Sequence, residues 1–213
     1  NNFLIRDIII MAKHKTYTLI FNTASELFAK HGYAGTIMDE LSEACDVNKA
    51  SIYYHFKDKA NLYRIVLETL LQELLDTFLP LIEKAETPIE KLEAYIMNYA
   101  KFINKKPVLA SLIMREMASG GINMPQEVKP LMFKLLETLS SILTFGQEKD
   151  EFKTINPTTV YFMIVGNINF YTASKPMRTK MTLQKSELNQ QFSQHNSKTN
   201  AQELYNTILI SIQ

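Results

Sequence analysis

Two short helical patterns meeting at a bend, Asp46-Val47, constrain this chain more than any other feature. The upstream pattern, residues 37–45, follows Thr36, a natural N-cap, and carries Leu41, Ala44 and Cys45 as inward residues. The downstream pattern, residues 48–56, opens at Asn48, again a good N-cap, and turns Val47 and Ile52 inward. So tight a bend needs a residue that tolerates left-handed backbone. Asp46 can supply it, because its short side chain bonds locally. Two brief helices joined in this way make a helix-turn-helix, whose second helix fits a DNA major groove.

The remainder reads as helix after helix. Only 6 Gly and 7 Pro interrupt 213 residues rich in Leu, Lys, Glu, Ala and Met, which predicts an all-α fold. Ile20, Ala24, Leu27, Phe28 and His31 share one face of a helix over 13–31, stopped by Gly32. Asp58 caps a long helix reaching about residue 83. Thr87, Pro88 and Glu90 form a capping box with proline at N1, opening a helix to about residue 104. Pro107 opens the next, and Gly120-Gly121 close it. Pro125 and Pro130 mark the start of a helix to about 148, and Asn156-Pro157 that of one ending near 174. Residues 175–199 are polar and read as a long loop before a last helix over 201–212. The count is about nine helices, with no strand alternation and no fixed repeat.

The outward residues of the second short helix are Lys49, Ser51, Tyr53, Tyr54 and His55. Lysine can hold a phosphate or the O6/N7 edge of guanine. Serine, tyrosine and histidine donate to phosphate oxygens. The N-termini of helices 37–45 and 58–83 add free N–H groups and a positive dipole end, with Lys59 close by. The competing view makes the tyrosines half-buried aromatics at a helix corner. Charge is balanced: over residues 12–60 six lysines meet six carboxylates, so nonspecific affinity for DNA is expected to be modest.

The segment "TASELFAKHGYAGTIMDELSEACDVNKASIYYHFKDKANLYRIV", residues 23–66, closely resembles the N-terminal domain of the TetR family of bacterial repressors. The resemblance rests on His31-Gly32-Tyr33, Thr36, Leu41, Val47, the block Ile52-Tyr53-Tyr54-His55-Phe56, Lys59 and Leu62. It implies that Thr36, Lys49, Ser51, Tyr53, Tyr54, His55 and Lys59 face a double-stranded DNA operator. It further implies a homodimer, and a small-molecule effector held by the C-terminal helices. The organisation expected is an extension over 1–10, a three-helix helix-turn-helix domain over 11–60, and a helical ligand-binding and dimerisation domain over 61–213. Asp39 stands where many members carry a basic or polar base-reading residue. A carboxylate there accepts from cytosine or points to solvent.

The second half is rich in flexible and aromatic apolar residues of the kind that line adaptable cavities. Met97, Tyr99, Met114, Met117, Phe133, Tyr161, Asn167 and Tyr171 are the candidates for an effector pocket, and simple core packing is the alternative for each. Arg115 and Glu116 are adjacent and cannot share a helix face. Asn167 and Asn169 interrupt an apolar helix, where a buried amide needs a partner. The resemblance implies that helices near 157–174 and 201–212 pair with those of a second subunit, with Val160, Ile164, Ile168, Leu204, Ile208 and Ile212 as ridges.

Other classes find little support. His14, His31, His55 and His195 are scattered, and no HExxH, nucleophile elbow, P-loop or glycine fingerprint occurs, so neither an enzyme nor a metal site or cofactor is expected. No apolar run reaches the ~18 residues of a membrane span. Cys45 is the single cysteine, which suits a reducing, cytoplasmic compartment. The expected function is a ligand-responsive transcriptional regulator. Its alternative is a helical adaptor of the same fold without DNA binding, favoured by the balanced charge.

Overall fold

Helix boundaries fall largely where the capping residues stand. The computed structural model describes residues 2–181 and 195–213, with side chains from residue 14 onward. Its described residues form ten α-helices and one short 3-10 turn, with no strand. These are α1 (Asn2–Gly35), α2 (Met38–Cys45), α3 (Lys49–Phe56), α4 (Lys59–Glu83), α5 (Pro88–Lys105), α6 (Pro107–Ala118), the turn Gln126–Val128, α7 (Lys129–Glu148), α8 (Pro157–Ala173), α9 (Lys175–Met181) and α10 (Ser197–Ile212).

Asn48 accepts from the Ser51 N–H, Asp58 from the Asn61 N–H and Asn156 from the Thr158 N–H, so each satisfies a donor the helix start leaves open. The Thr87 and Glu90 side chains form a complete capping box. Asp46 takes the left-handed conformation at φ 50°, ψ 44°, and its N–H closes on the Glu43 carbonyl at 3.1 Å. A second positive-φ residue, Lys57 at φ 65° and ψ −59°, turns the chain from α3 into α4. Gly32, at φ 74° and ψ 173°, is non-helical and interrupts α1 at a kink, where the sequence placed the helix stop. Upstream, α1 begins at Asn2 instead of near residue 13.

Three expectations need correction. Thr36 does not cap α2: Ile37 holds that position without a side-chain bond. The Thr36 hydroxyl donates backward to the Gly32 carbonyl at 2.8 Å, and the residue is buried. Ala44 is exposed, so Leu41 and Cys45, with half-buried Met38, seal α2 against the core. The polar stretch 175–199 is not all loop. Lys175–Met181 is helical, and α10 starts at Ser197 because Asn196 accepts from the Lys198 and Thr199 N–H groups. The middle of that stretch, 182–194, lies outside the described residues.

The axle of the fold is α4. It packs on α1 and α3 at one end and on α5, α6 and α7 further along. Leu62, Tyr63, Val66, Leu67, Leu70, Leu71, Leu74, Leu75 and Phe78 run buried along its length, each such side chain contributing about 1.5–3 kcal/mol of transfer free energy. Helix α6 bridges α1 to α8. Gly146 in α7 is required by packing: a Cβ there would lie 1.9 Å from the buried Phe152 ring.

The face predicted for subunit pairing is also corrected. Val160, Ile164 and Ile168 of α8 and Ile208 and Ile212 of α10 are buried in their own chain, with Leu204 half-buried. The large apolar residues α8 leaves outside are Phe162 and Phe170, 56% and 58% exposed, with half-buried Gly166 between them. Ile210 of α10 is 77% exposed. The helix is apolar on both faces, so its sequence could not say which stripe the core takes.

Candidate nucleic-acid interface

Helix α3 is held from behind and left open in front. Ile52 and Phe56 are buried, and Tyr17 of α1 stacks on Phe56 with ring centroids 4.6 Å apart. This anchoring fixes the orientation of the intervening residues. Tyr53 and Tyr54 are exposed, 43% and 69%, while Ser51 and His55 are half-exposed. The His55 ring meets Tyr54 and Tyr17 edge-on, at 5.2 and 6.0 Å. Hydroxyls and an imidazole thus share one rigid ridge. Thr36 is buried and bonded back to α1, so it does not stand on that ridge.

The two lysines of the expected set are both engaged within the chain. Lys49, the first residue of α3, forms an ion pair with Asp39 in the first turn of α2. That hydrogen bond raises the Lys49 pKa. Lys59, at the start of α4, sits 4.7 Å over the Tyr33 ring and donates to the Ala34 carbonyl at 3.3 Å. Partial burial lowers its pKa. The N-terminus of α2 is not the free cationic end that sequence suggested, because Asp39 and Glu40 occupy its first turn, the latter 3.4 Å from His31.

Behind this surface lies a joint to the C-terminal helices. Tyr63 of α4 is buried against Phe28 and Tyr33, at 4.8 and 5.1 Å, and donates its hydroxyl to Glu116 of α6 at 2.6 Å. Burial, then the hydrogen bond to Glu116, drives the Tyr63 pKa far up. Arg115, next in sequence, points the other way. Its Nε donates to the Ala29 carbonyl at 2.6 Å, and its Nη2 to that of Lys30. The adjacency predicted opposite faces. It carried no signal that the arginine would cap carbonyls at the kink of α1, since only the fold brings residues 29 and 115 together.

The effector-pocket candidates do not converge. Phe133 lines a cleft of about 800 Å³ with Leu79, Ile82, Lys91 and Phe145. Tyr171 lines another, of about 500 Å³, with Arg178 and His195. Its ring lies 3.7 Å under the Arg178 guanidinium, and its hydroxyl donates to the His195 carbonyl at 2.5 Å. Tyr99 and Tyr161 are core residues, and burial pushes the Tyr161 phenol up to about 12. Tyr99 donates to the Asn169 Oδ1 at 3.2 Å. Asn169 is buried, and its Nδ2 has no hydrogen-bond partner among the described residues. Asn167 is exposed and accepts from Asn200 of α10 at 2.7 Å, so it ties α8 to α10. Met97 and Met114 are half-buried, and Met117 is 43% exposed. Among the described residues no cluster of His, Cys, Asp or Glu is arranged to hold a metal ion, and no helix is long and apolar enough to cross a membrane.

Comparison with known proteins finds matches at both ends of the chain. Residues 20–66 match the family model for bacterial regulatory proteins of the tetR family. Residues 88–201 match that for the tetracyclin repressor-like C-terminal domain. The chain is similar to the HTH-type transcriptional regulator RutR of Escherichia coli K12, 25% identical over 176 residues that cover 81% of this chain and 80% of that protein. Two solved structures share the fold. One is a HlyIIR mutant with residues 169–186 replaced by a linker, at TM-score 0.69, 22% identity and coverage of 94% and 96% of the two chains. The other is AibR in complex with isovaleryl coenzyme A and operator DNA, at TM-score 0.71, 16% identity and coverage of 90% and 97%. With both its reading head and its C-terminal helices matched, the chain belongs to the TetR family of bacterial regulatory proteins.

Proposed function

We propose that this protein is a cytoplasmic transcriptional repressor that binds a palindromic operator as a homodimer and leaves it when a small molecule binds its C-terminal helices. The observation that carries the reading is the ridge of α3: Ser51, Tyr53, Tyr54 and His55 stand outward from a helix whose Ile52 and Phe56 are locked in the core. A division at about residue 60 follows naturally, with α1–α3 as the reading head and α4 onward as the body. The exposed Phe162 and Phe170 stripe of α8, with Ile210 of α10, is the dimer face this reading requires, since large exposed aromatics call for a partner. Gly166 between the phenylalanines leaves room for close helix approach. Two heads so joined would meet successive major grooves about 34–36 Å apart.

The release route runs through α6. That helix touches α8 on one side and holds α1 and α4 through Arg115 and Glu116 on the other. An effector lowers operator affinity by its differential affinity for the two head spacings and no more. AibR was crystallised with an acyl thioester of coenzyme A, so acyl-coenzyme A compounds are the first effectors to screen.

The test uses the full chain and a duplex library randomised over about 30 base pairs, enough for two half-sites one or two turns apart. Enrichment of a palindrome, bound with steep salt dependence and lost in Tyr53→Ala/Tyr54→Ala, supports the reading. A protein that enriches no sequence and shows no salt-dependent binding to duplex is an adaptor instead.

A further inference from the structure

The ion pair between Asp39 and Lys49 occupies the part of a helix-turn-helix that comes closest to base edges. Lys49 opens α3 and Asp39 lies in the first turn of α2. Both side chains remain open to solvent, 45% exposed for Lys49 and 64% for Asp39. An exposed ion pair of this kind adds little to stability, so DNA can open or share it at little cost. Phosphate gains little from it, because the carboxylate cancels the cation that phosphate would seek. The major-groove edge of a C·G pair is different. Guanine offers the O6 and N7 acceptors that lysine fills, and cytosine offers the N4 amino donor that a carboxylate accepts.

Resting on the reading of the protein as an operator-binding dimer, we propose that Asp39 and Lys49 act as one unit that reads a C·G base pair in each half-site and that Asp39 suppresses backbone binding elsewhere. Asp39 is then a specificity-determining residue, and the balanced charge of the reading head belongs to the design. The head trades nonspecific affinity for discrimination. On a mismatched site the carboxylate faces an acceptor or a phosphate and repels it. On a matched site both partners exchange their mutual bond for bonds to the two bases.

The experiment compares the full-length wild type with Asp39→Asn, Lys49→Ala and the double variant. Glu43→Gln is the control, because it removes an exposed carboxylate of α2 that makes no part of the unit. Each protein selects from the randomised duplex library. Each is also titrated onto a fixed non-palindromic duplex between 50 and 200 mM salt. Wild type should enrich a palindrome with one invariant C·G pair per half-site. Asp39→Asn should lose preference at that position alone, by about fivefold or more, and keep the rest. On the nonspecific duplex it should steepen the log–log salt slope by about 0.9 per freed lysine, or ~1.8 for a dimer, roughly a twelvefold larger change across that salt range. Removing Lys49 as well should cancel the steepening, and Glu43→Gln should leave base preference unchanged.

The proposal is overturned if Asp39→Asn retains the same consensus and slope, or if its effect persists without Lys49. A general charge effect would appear equally in Glu43→Gln. If wild type enriches nothing, the operator reading itself falls. If wild type enriches a palindrome but Asp39→Asn does not alter it, only the present inference falls.

Discussion

Replacing Tyr63 with phenylalanine deletes one oxygen from the joint and leaves its ring packing on Phe28 and Tyr33 in place. The lost bond is 2.6 Å long and ends on a carboxylate. Tyr63 is 1% exposed and Glu116 3%, so water does not take the place of the hydroxyl. Hydrogen bonds to charged groups contribute about 1.5–3 kcal/mol, and a stranded buried acceptor costs a comparable amount. The other Glu116 oxygen already lacks a partner among the described residues, so the carboxylate has no second bond to fall back on. A loss of about 2–3 kcal/mol is expected, from a total that is ~5–15 kcal/mol for a typical domain. Urea denaturation at fixed protein concentration should show the midpoint fall by about 1 M. The double variant Tyr63→Phe/Glu116→Leu removes both polar partners and should recover most of the loss, because an apolar pair of similar shape replaces the stranded one. Should Tyr63→Phe stay within ~0.5 kcal/mol of wild type, the bond is not what holds α6 to α4. Should the double variant be as unstable as the single one, the stranded carboxylate is not the cause.

Further outcomes follow from the packing and the buried phenols. Gly146→Ala drives a methyl group into the Phe152 ring and should cost about 1–3 kcal/mol, read by thermal melting, and Phe152→Leu in the same chain should relieve part of it. Tyr63, Tyr95, Tyr99 and Tyr161 all have phenol pKa values raised chiefly by burial, that of Tyr161 to about 12. Their contribution is fully present below the unfolded value of about 10 and is lost as pH rises through the folded values, by up to ~1.4 kcal/mol per pH unit for each tyrosine. Stability to urea should therefore be flat up to about pH 9 and fall steeply above 10, with the share of tyrosinate absorbance that belongs to these four buried phenols appearing together with unfolding rather than before it. Phe162→Asp with Phe170→Asp places charge on the exposed face of α8 and should yield a folded monomer by sedimentation, with unchanged far-UV circular dichroism.

Much of this architecture is legible in the sequence because its signals are local. Asn48, Asp58, Thr87 and Asn156 each cap the helix that follows, as their types and positions dictate. Asp46 turns left-handed where a bend between two short helices demands it. Thr36 misleads because a threonine before a helix has two local bonds open to it. Here the kink at Gly32 presents a carbonyl within reach, and the hydroxyl turns back to it. The outward face of α8 is unreadable for another reason: both of its faces are apolar, and only packing decides which is buried. Side-chain type marks the effector-pocket candidates, and type does not say which residues share a cavity. Phe133 and Tyr171 accordingly line separate clefts. Arg115 was visible as a charge but not as a clamp, because its acceptors lie 86 and 85 residues away.

That clamp decides how small a movement can matter. The bonds from Arg115 to the Ala29 and Lys30 carbonyls and from Tyr63 to Glu116 are all charge-assisted, and all join α6 to the elements that carry the reading head. A hundredfold weakening of operator binding requires about 2.7 kcal/mol of coupling. One charge-assisted bond, at ~1.5–3 kcal/mol, is nearly that amount. On the proposed release route, an effector that displaces α6 by little more than the reach of a hydrogen bond would change the preferred head position enough to empty an operator, with no need to unfold or repack the long buried row of α4. Loss of the joint by mutation should then mimic the effector: Arg115→Ala should bind operator more weakly in its absence and respond less to its presence. An Arg115→Ala protein whose operator affinity and ligand response both equal those of wild type would place the coupling on some other path.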